Sequence, residues 1–164
     1  MIKEYRREFG LFACSGIFGP HESPRRGKDF FSKKIVNFAK SVKQGNKEKL
    51  KVGDLYSQRN IGYAPDYVEA AVAMLAAEKP KDYIIANNSI DSDGHAWELR
   101  MVSNEEFIEK CFNYIGYNWK NHIEIDPNLK RKPSVNLGLD ASKIYKDLGW
   151  SAKHDIDDII KIMI

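Results

Sequence analysis

SGIFGPHESPRRGKDFFSKK, residues 15–34, sets an apolar stretch, a Gly–Pro break, a basic turn and a helix start in immediate succession. The residues leading into it, Leu11 to Phe18, form a nearly continuous apolar run. Such a run predicts a strand of a parallel sheet, buried on both faces and flanked by neighbours on both edges. Gly19-Pro20 ends it and leaves its last carbonyls and the following loop exposed, which is where open α/β sheets bind ligands. Arg25 and Arg26 follow in the loop as rigid donor forks suited to phosphate oxygens. The stretch therefore reads as an anion-binding corner.

Outward from this corner the chain alternates helices and strands. Ile2, Tyr5 and Phe9 lie at helical spacing before Gly10, and Phe31, Ile35, Phe38 and Val42 share a helical stripe over Asp29 to Gln44, with Gly45 as the stop. Lys49 to Tyr56 reads as strand. Asp66 to Glu78 reads as a helix with Tyr67, Val68, Ala71 and Leu75 inward and Pro80 beyond its end. Asp82 to Asn87 is a second apolar strand, and the polar stretch Ser89 to Arg100 reads as an inserted loop. Ser103 and Glu106 form a capping box ahead of Phe107, Ile108, Cys111 and Phe112, with Gly116 as the terminator. His122 to Ile125 fits a short strand, Asp140 to Leu148 a helix stopped by Gly149, and Asp155 the cap of a last helix on Ile156, Ile159, Ile160 and Met163.

Composition narrows the function classes. The 164 residues are 43% apolar with a net charge of +3, enough for a core but without the dense basic face of a nucleic-acid binder. Cys14 and Cys111 match neither a CxxC nor a disulfide framework, and both are expected in the core of a protein kept in a reducing, cytoplasmic setting. No apolar run approaches the roughly 18 residues of a membrane span, and the N-terminus lacks a signal-peptide core. No linker or repeat divides the chain, so one domain over residues 1–164 is expected.

The run HESPRRG (His21 to Gly27), together with RNIGYAPDYVEAAVAMLAAEKPKDYIIAN (Arg59 to Asn87) and SKIYKDLGW (Ser142 to Trp150), resembles the GDP-mannose 4,6-dehydratase family of the extended short-chain dehydrogenase/reductase superfamily. The resemblance covers nearly the whole chain. It implies an α/β fold: the C-terminal, substrate-binding lobe of such an enzyme plus the last Rossmann strands, without the Gly-rich cofactor-binding half. No tyrosine in the chain has a lysine four positions on, and no G-x-G-x-x-G turn opens a helix. By resemblance, then, the chain starts in the helix that would carry the catalytic Tyr and Lys, and no catalytic residue is assigned.

The resemblance implies site roles for five residues. His21 and Arg26 would contact NADP, a cofactor this chain is not expected to bind alone. Arg25, Arg59 and Arg131 would bind the diphosphate of GDP-mannose or a related nucleotide sugar, since converging arginines give bidentate, charge-assisted bonds. The sequence departs from the family at two places. Pro20 stands where an asparagine is expected and has no N–H to donate, and Ser134 stands where a glutamate would hold a ribose. The expected function is that of a nucleotide-sugar-binding lobe acting with a cofactor-binding half supplied in trans. The alternative is a non-catalytic nucleotide-sugar-binding or interaction module. In either case an open edge at Leu11 to Phe18 predicts a homo-oligomer or hetero-complex.

Other candidates are weaker. Ser89 to Gly94 has the alternating oxygens of a calcium loop, but position twelve is Arg100 rather than a bidentate glutamate. His21, His95, His122 and His154 lack zinc spacing. Trp97, in a polar segment, is placed to pack on a partner or ligand.

Overall fold

The computed structural model describes residues 1–129 and 138–164, apart from the side chains of Ala96 and Trp97. In chain order the elements are α1 (Ile2–Phe9), β1 (Gly16–Phe18), β2 (His21–Glu22), α2 (Phe31–Lys43), β3 (Leu50–Val52), β4 (Gln58–Asn60), β5 (Gly62–Tyr63) and α3 (Ala64–Ala76). They continue with β6 (Tyr83–Ile85), β7 (Ser89–Ile90), β8 (Ala96–Glu98), β9 (Met101–Ser103), α4 (Asn104–Ile115), β10 (Ile123–Ile125), α5 (Ser142–Leu148) and α6 (Ile156–Met163). The fold is α/β, and these elements divide into two compact units.

The first unit comprises residues 1–21, 60–100 and 138–155. Its centre is the parallel pair β1–β6, in register from Gly16↔Tyr83 to Phe18↔Ile85. A core of Tyr67, Met74, Tyr83, Ile85, Ile144 and Trp150 packs around β6, α3 and α5. Asp66, in the first turn of α3, is buried and ties distant chain to the helix: its carboxylate accepts the main-chain N–H groups of Lys153 (2.9 Å) and His154 (3.0 Å) and the ring Nδ1 of His154 (2.9 Å). The α3 core face differs from the sequence expectation. Tyr67, Ala70 and Met74 are buried, while Val68, Val72 and Leu75 are exposed. Small Ala70 lets the helix lie close to its neighbours, so the larger aliphatics face outward.

The expected doubly buried strand is the largest departure. Only Gly16–Phe18 is extended, all three residues are exposed, and among the described residues β1 has a single strand partner, β6. Ile17 and Phe18 keep 57% and 42% of their surface open. Beside them α1 buries none of its residues, leaving Ile2, Tyr5 and Phe9 exposed. The helix is held by Arg6, whose Nε donates to the Ala13 carbonyl at 2.9 Å and whose guanidinium pairs with Asp82. The same Asp82 carboxylate accepts the Ser15 N–H at 3.0 Å. Ser89 to Arg100 is also more ordered than a loop: β7 and β8 pair antiparallel around a turn at Asp91 to Gly94.

The second unit comprises residues 22–59, 101–137 and 156–164. In it α2, α4 and α6 pack together, and β3 pairs parallel with β10. Ile35, Val42, Phe107, Ile108, Cys111, Phe112, Ile159 and Ile160 form its interior. Half of the capping box is present: Ser103 accepts the Glu106 N–H at 3.0 Å, and Gly116 ends α4 at φ 81°. Cys111 is buried as expected, and its thiol is pushed up by burial. Cys14, in the first unit, is only half-buried. No helix among the described residues is long and apolar enough to cross a membrane.

Candidate functional site

At the carboxyl end of β1 the backbone of the first unit is drawn tight. The Gly19 N–H extends the parallel ladder to the Ile85 carbonyl at 2.9 Å, and the Pro20 carbonyl accepts the Gly62 N–H at 3.0 Å. Pro20 therefore serves the fold through its carbonyl, and it still offers no donor to a ligand. Gly62 has no room for a side chain: a Cβ there would lie 2.3 Å from the Tyr67 Oη. His21 rests on this platform. Its Nδ1 lies 2.9 Å from the Gly19 carbonyl, so Nδ1 carries the proton, and its ring centroid is 5.4 Å from that of Tyr67. That bond leaves Nε2 as the acceptor in the neutral ring. Burial raises the Tyr67 phenol, which stays protonated at neutral pH.

In the second unit Ser23 organises the basic turn, accepting the Arg25 N–H on Oγ (3.2 Å) and the Arg26 N–H on its carbonyl (3.0 Å). Arg25 is exposed. Arg26 is committed locally: its Cζ stacks 3.7 Å above the Phe30 ring and its Nε lies 3.5 Å from the buried Glu22 carboxylate. The contact is an ion pair rather than a hydrogen bond, so it offsets the guanidinium charge without spending the Nε–H donor. Arg59 differs. It lies in β4 beside buried Asn60, is exposed, and its side chain makes no hydrogen bond or ion pair with a described residue. Among the expected site residues, Arg25 and Arg59 are thus exposed in this unit, while His21 belongs to the other. Arg131 and Ser134 lie outside the described residues, as does the Trp97 side chain.

The calcium-like segment is a turn. The Asp91 Oδ1 accepts the N–H groups of Asp93 (3.0 Å) and His95 (2.8 Å), with Gly94 at φ 77°. Among the described residues no three His, Cys, Asp or Glu side chains converge as metal ligands would. Two features escaped sequence reading. One is the Asp66–His154 pair, whose partners are 88 residues apart. The other is a set of buried asparagines, Asn60, Asn87 and Asn88, that follow or face the end of β6. The double Asn at a strand end is the one signal that could have marked them.

The family model for GDP-mannose 4,6 dehydratase matches residues 1–163. The chain belongs to the GDP-mannose 4,6-dehydratase family. It is 42% identical over 161 residues to GDP-mannose 4,6 dehydratase 2 of Arabidopsis thaliana, covering 98% of this chain and 40% of that protein. It is 30% identical to GDP-mannose 4,6 dehydratase of Homo sapiens, covering 100% of this chain and 46% of that protein. The chain therefore spans less than half the length of these relatives. Its fold is similar to dTDP-glucose 4,6-dehydratase of Bacillus anthracis in complex with NAD (TM-score 0.79, 16% identity, 99% of this chain and 47% of that one). It is also similar to RMD from Pseudomonas aeruginosa complexed with NADPH (TM-score 0.74, 16% identity, 99% and 50%). No Gly-rich turn or Tyr-x-x-x-Lys pair occurs in residues 1–164.

Proposed function

We propose that this chain is the nucleotide-sugar-binding lobe of a GDP-mannose 4,6-dehydratase-like assembly, silent alone and active only with a cofactor-binding half supplied in trans. Residues 1–164 act in this reading as one truncated dehydratase-like domain in the cytoplasm, and NADP sits chiefly on the other half. The observation that carries the reading is the open face of the first unit. Ile2, Tyr5, Phe9, Leu11, Phe12, Ile17 and Phe18 are all exposed large apolar residues on α1, β1 and the chain between them. Patches of that kind mark interaction surfaces, and an open parallel edge invites another strand.

On the ligand side, Arg59 and Arg25 supply guanidinium forks for the two phosphates, and Arg131 would join them. Proton transfer needs a positioned group within hydrogen-bond reach of the sugar, and no Tyr-x-x-x-Lys pair is available to furnish it. A second reading, a non-catalytic nucleotide-sugar-binding or oligomeric module, is favoured by two observations. Pro20 offers no donor, and the Glu22 carboxylate occupies Arg26. Calorimetric titration of the purified chain with GDP-mannose, with GDP and NADP as controls, tests both. Saturable binding of the GDP compounds, weakened at least tenfold by Arg59→Ala, supports the lobe. Turnover of GDP-mannose by the pure chain with added NADP refutes its silence, and absence of heat with any of the three refutes ligand binding altogether.

A further inference from the structure

Arg100 closes the β7–β8 hairpin, and it is the one non-glycine among the described residues with a positive φ, at 42°. Such a conformation disfavours an L side chain and persists only where the surroundings enforce it, most often at functional sites. Here the enforcement is explicit. The Arg100 Nε donates to the Ser89 Oγ at 2.8 Å and its Nη1 to the Asn87 Oδ1 at 3.0 Å. Both acceptors are fixed in turn. The Ser89 hydroxyl donates to the Glu98 Oε2 at 3.1 Å. The Asn87 amide N–H₂ is spent on the carbonyls of Ile61 (2.9 Å) and His154 (3.1 Å), which fixes Oδ1 as the end facing the guanidinium. The Asn87 main chain is clamped by Asn60, whose Oδ1 accepts its N–H at 2.8 Å and whose Nδ2 donates to its carbonyl at 2.6 Å.

A guanidinium has five N–H donors. Two are used to hold Arg100 in place, and the other three, at the Nη1–Nη2 end, have no partner among the described residues. The side chain is half-buried rather than solvated. It sits just past the carboxyl end of β6, where open α/β sheets place their ligands. A strained residue, orientated by a hydrogen-bonded network, that keeps three of its five donors without a described partner is built for an oxyanion.

We infer that Arg100 is an anion-binding residue of this chain, presented by the β7–β8 hairpin to a phosphoryl or carboxylate group of the ligand. The assignment does not depend on that ligand being a nucleotide sugar.

The test is calorimetric titration of the full chain at low ionic strength with inorganic pyrophosphate and, separately, with glucuronate, on wild type, Arg100→Gln, Arg100→Lys and Arg59→Ala. Saturable binding of at least one probe, weakened tenfold or more by Arg100→Gln and by the fork-lacking Arg100→Lys, is the expected result. The preferred probe then tells phosphate from carboxylate. Should Arg100→Gln fail to fold, Arg100→Gly replaces it, because glycine accepts the positive φ without strain. Equal binding by wild type and the Arg100 variants overturns the inference, as does binding of neither probe. Loss in Arg59→Ala alone overturns it too and leaves the nucleotide-sugar reading standing. Loss in the Arg100 variants without any response to GDP-mannose has the opposite effect, supporting the anion site and sinking that reading.

Discussion

Gly62→Ala is a demanding test of the platform beneath His21. The added methyl would lie 2.3 Å from both Cζ and Oη of Tyr67 and 2.4 Å from Cε1, so it collides with the hydroxyl end of a ring that is 1% exposed. The ring cannot swing away freely. Its centroid is 5.4 Å from His21, 6.2 Å from Phe18 and 6.1 Å from Trp150. Overpacking of a close-packed core typically costs about 1–3 kcal/mol, and a clash with a rigid aromatic belongs at the upper end. Urea unfolding followed by circular dichroism should show a midpoint lowered accordingly. The reasoning predicts more than a loss, however. In a Tyr67→Leu background the ring is gone, and the further cost of Gly62→Ala should fall below about 0.5 kcal/mol, the level at which unconnected sites simply add. An equal cost in both backgrounds would refute the steric account.

Three further outcomes follow from the geometry. Ser103→Ala removes the acceptor for the Glu106 N–H and should lower stability by about 1 kcal/mol in the same urea assay, with Thr at that position restoring most of it. Gly116→Ala places a Cβ at φ 81° in open space, so only backbone strain acts, and a loss of about 1 kcal/mol is expected from denaturation curves. The Asp82 carboxyl is held below its ordinary value, first by the Arg6 hydrogen bond and then by the Ser15 N–H. Its contribution is therefore fully present above the unfolded value near pH 4 and is lost as pH falls through the lower folded value. Melting temperatures of wild type should drop between pH 6 and pH 3 by more than those of Asp82→Asn, and identical drops would exclude the pair as an acid-sensitive tether of α1.

How much of this was legible in the sequence depends on range. The α4 boundaries were, because Ser103, Glu106 and Gly116 act on backbone groups within one turn. The C-terminal end of α5, at Gly149, was legible for the same reason. The inward face of α3 was not: Val68 and Leu75 outrank Ala70 in hydrophobicity, but the face is chosen by how closely the helix can approach β6. The exposure of β1 could not be read either, since an apolar run states what a strand could bury and not whether anything covers it. Strands as short as β7 and β8 carry no measurable period, so the hairpin looked like a loop. At the site, Arg59 and the His21–Gly27 turn were found by motif. The Glu22 partner of Arg26 was open to inference from its four-residue spacing. Asp66 with His154, and Arg100 with Asn87, are joined only by tertiary structure.

The first unit is stitched from three stretches of chain, 1–21, 60–100 and 138–155. During synthesis β1 emerges long before β6, and the Asp66 carboxylate waits for Lys153 and His154. At about 5–20 residues per second, roughly 7–28 s separate Gly16 from His154 at the ribosome. For roughly 3–14 s of that interval, until Ile85 has emerged, Ile17 and Phe18 have no sheet partner. Nascent chains of this protein should consequently depend on chaperone protection early in translation, and truncations before residue 153 should be far more prone to aggregate than their composition suggests.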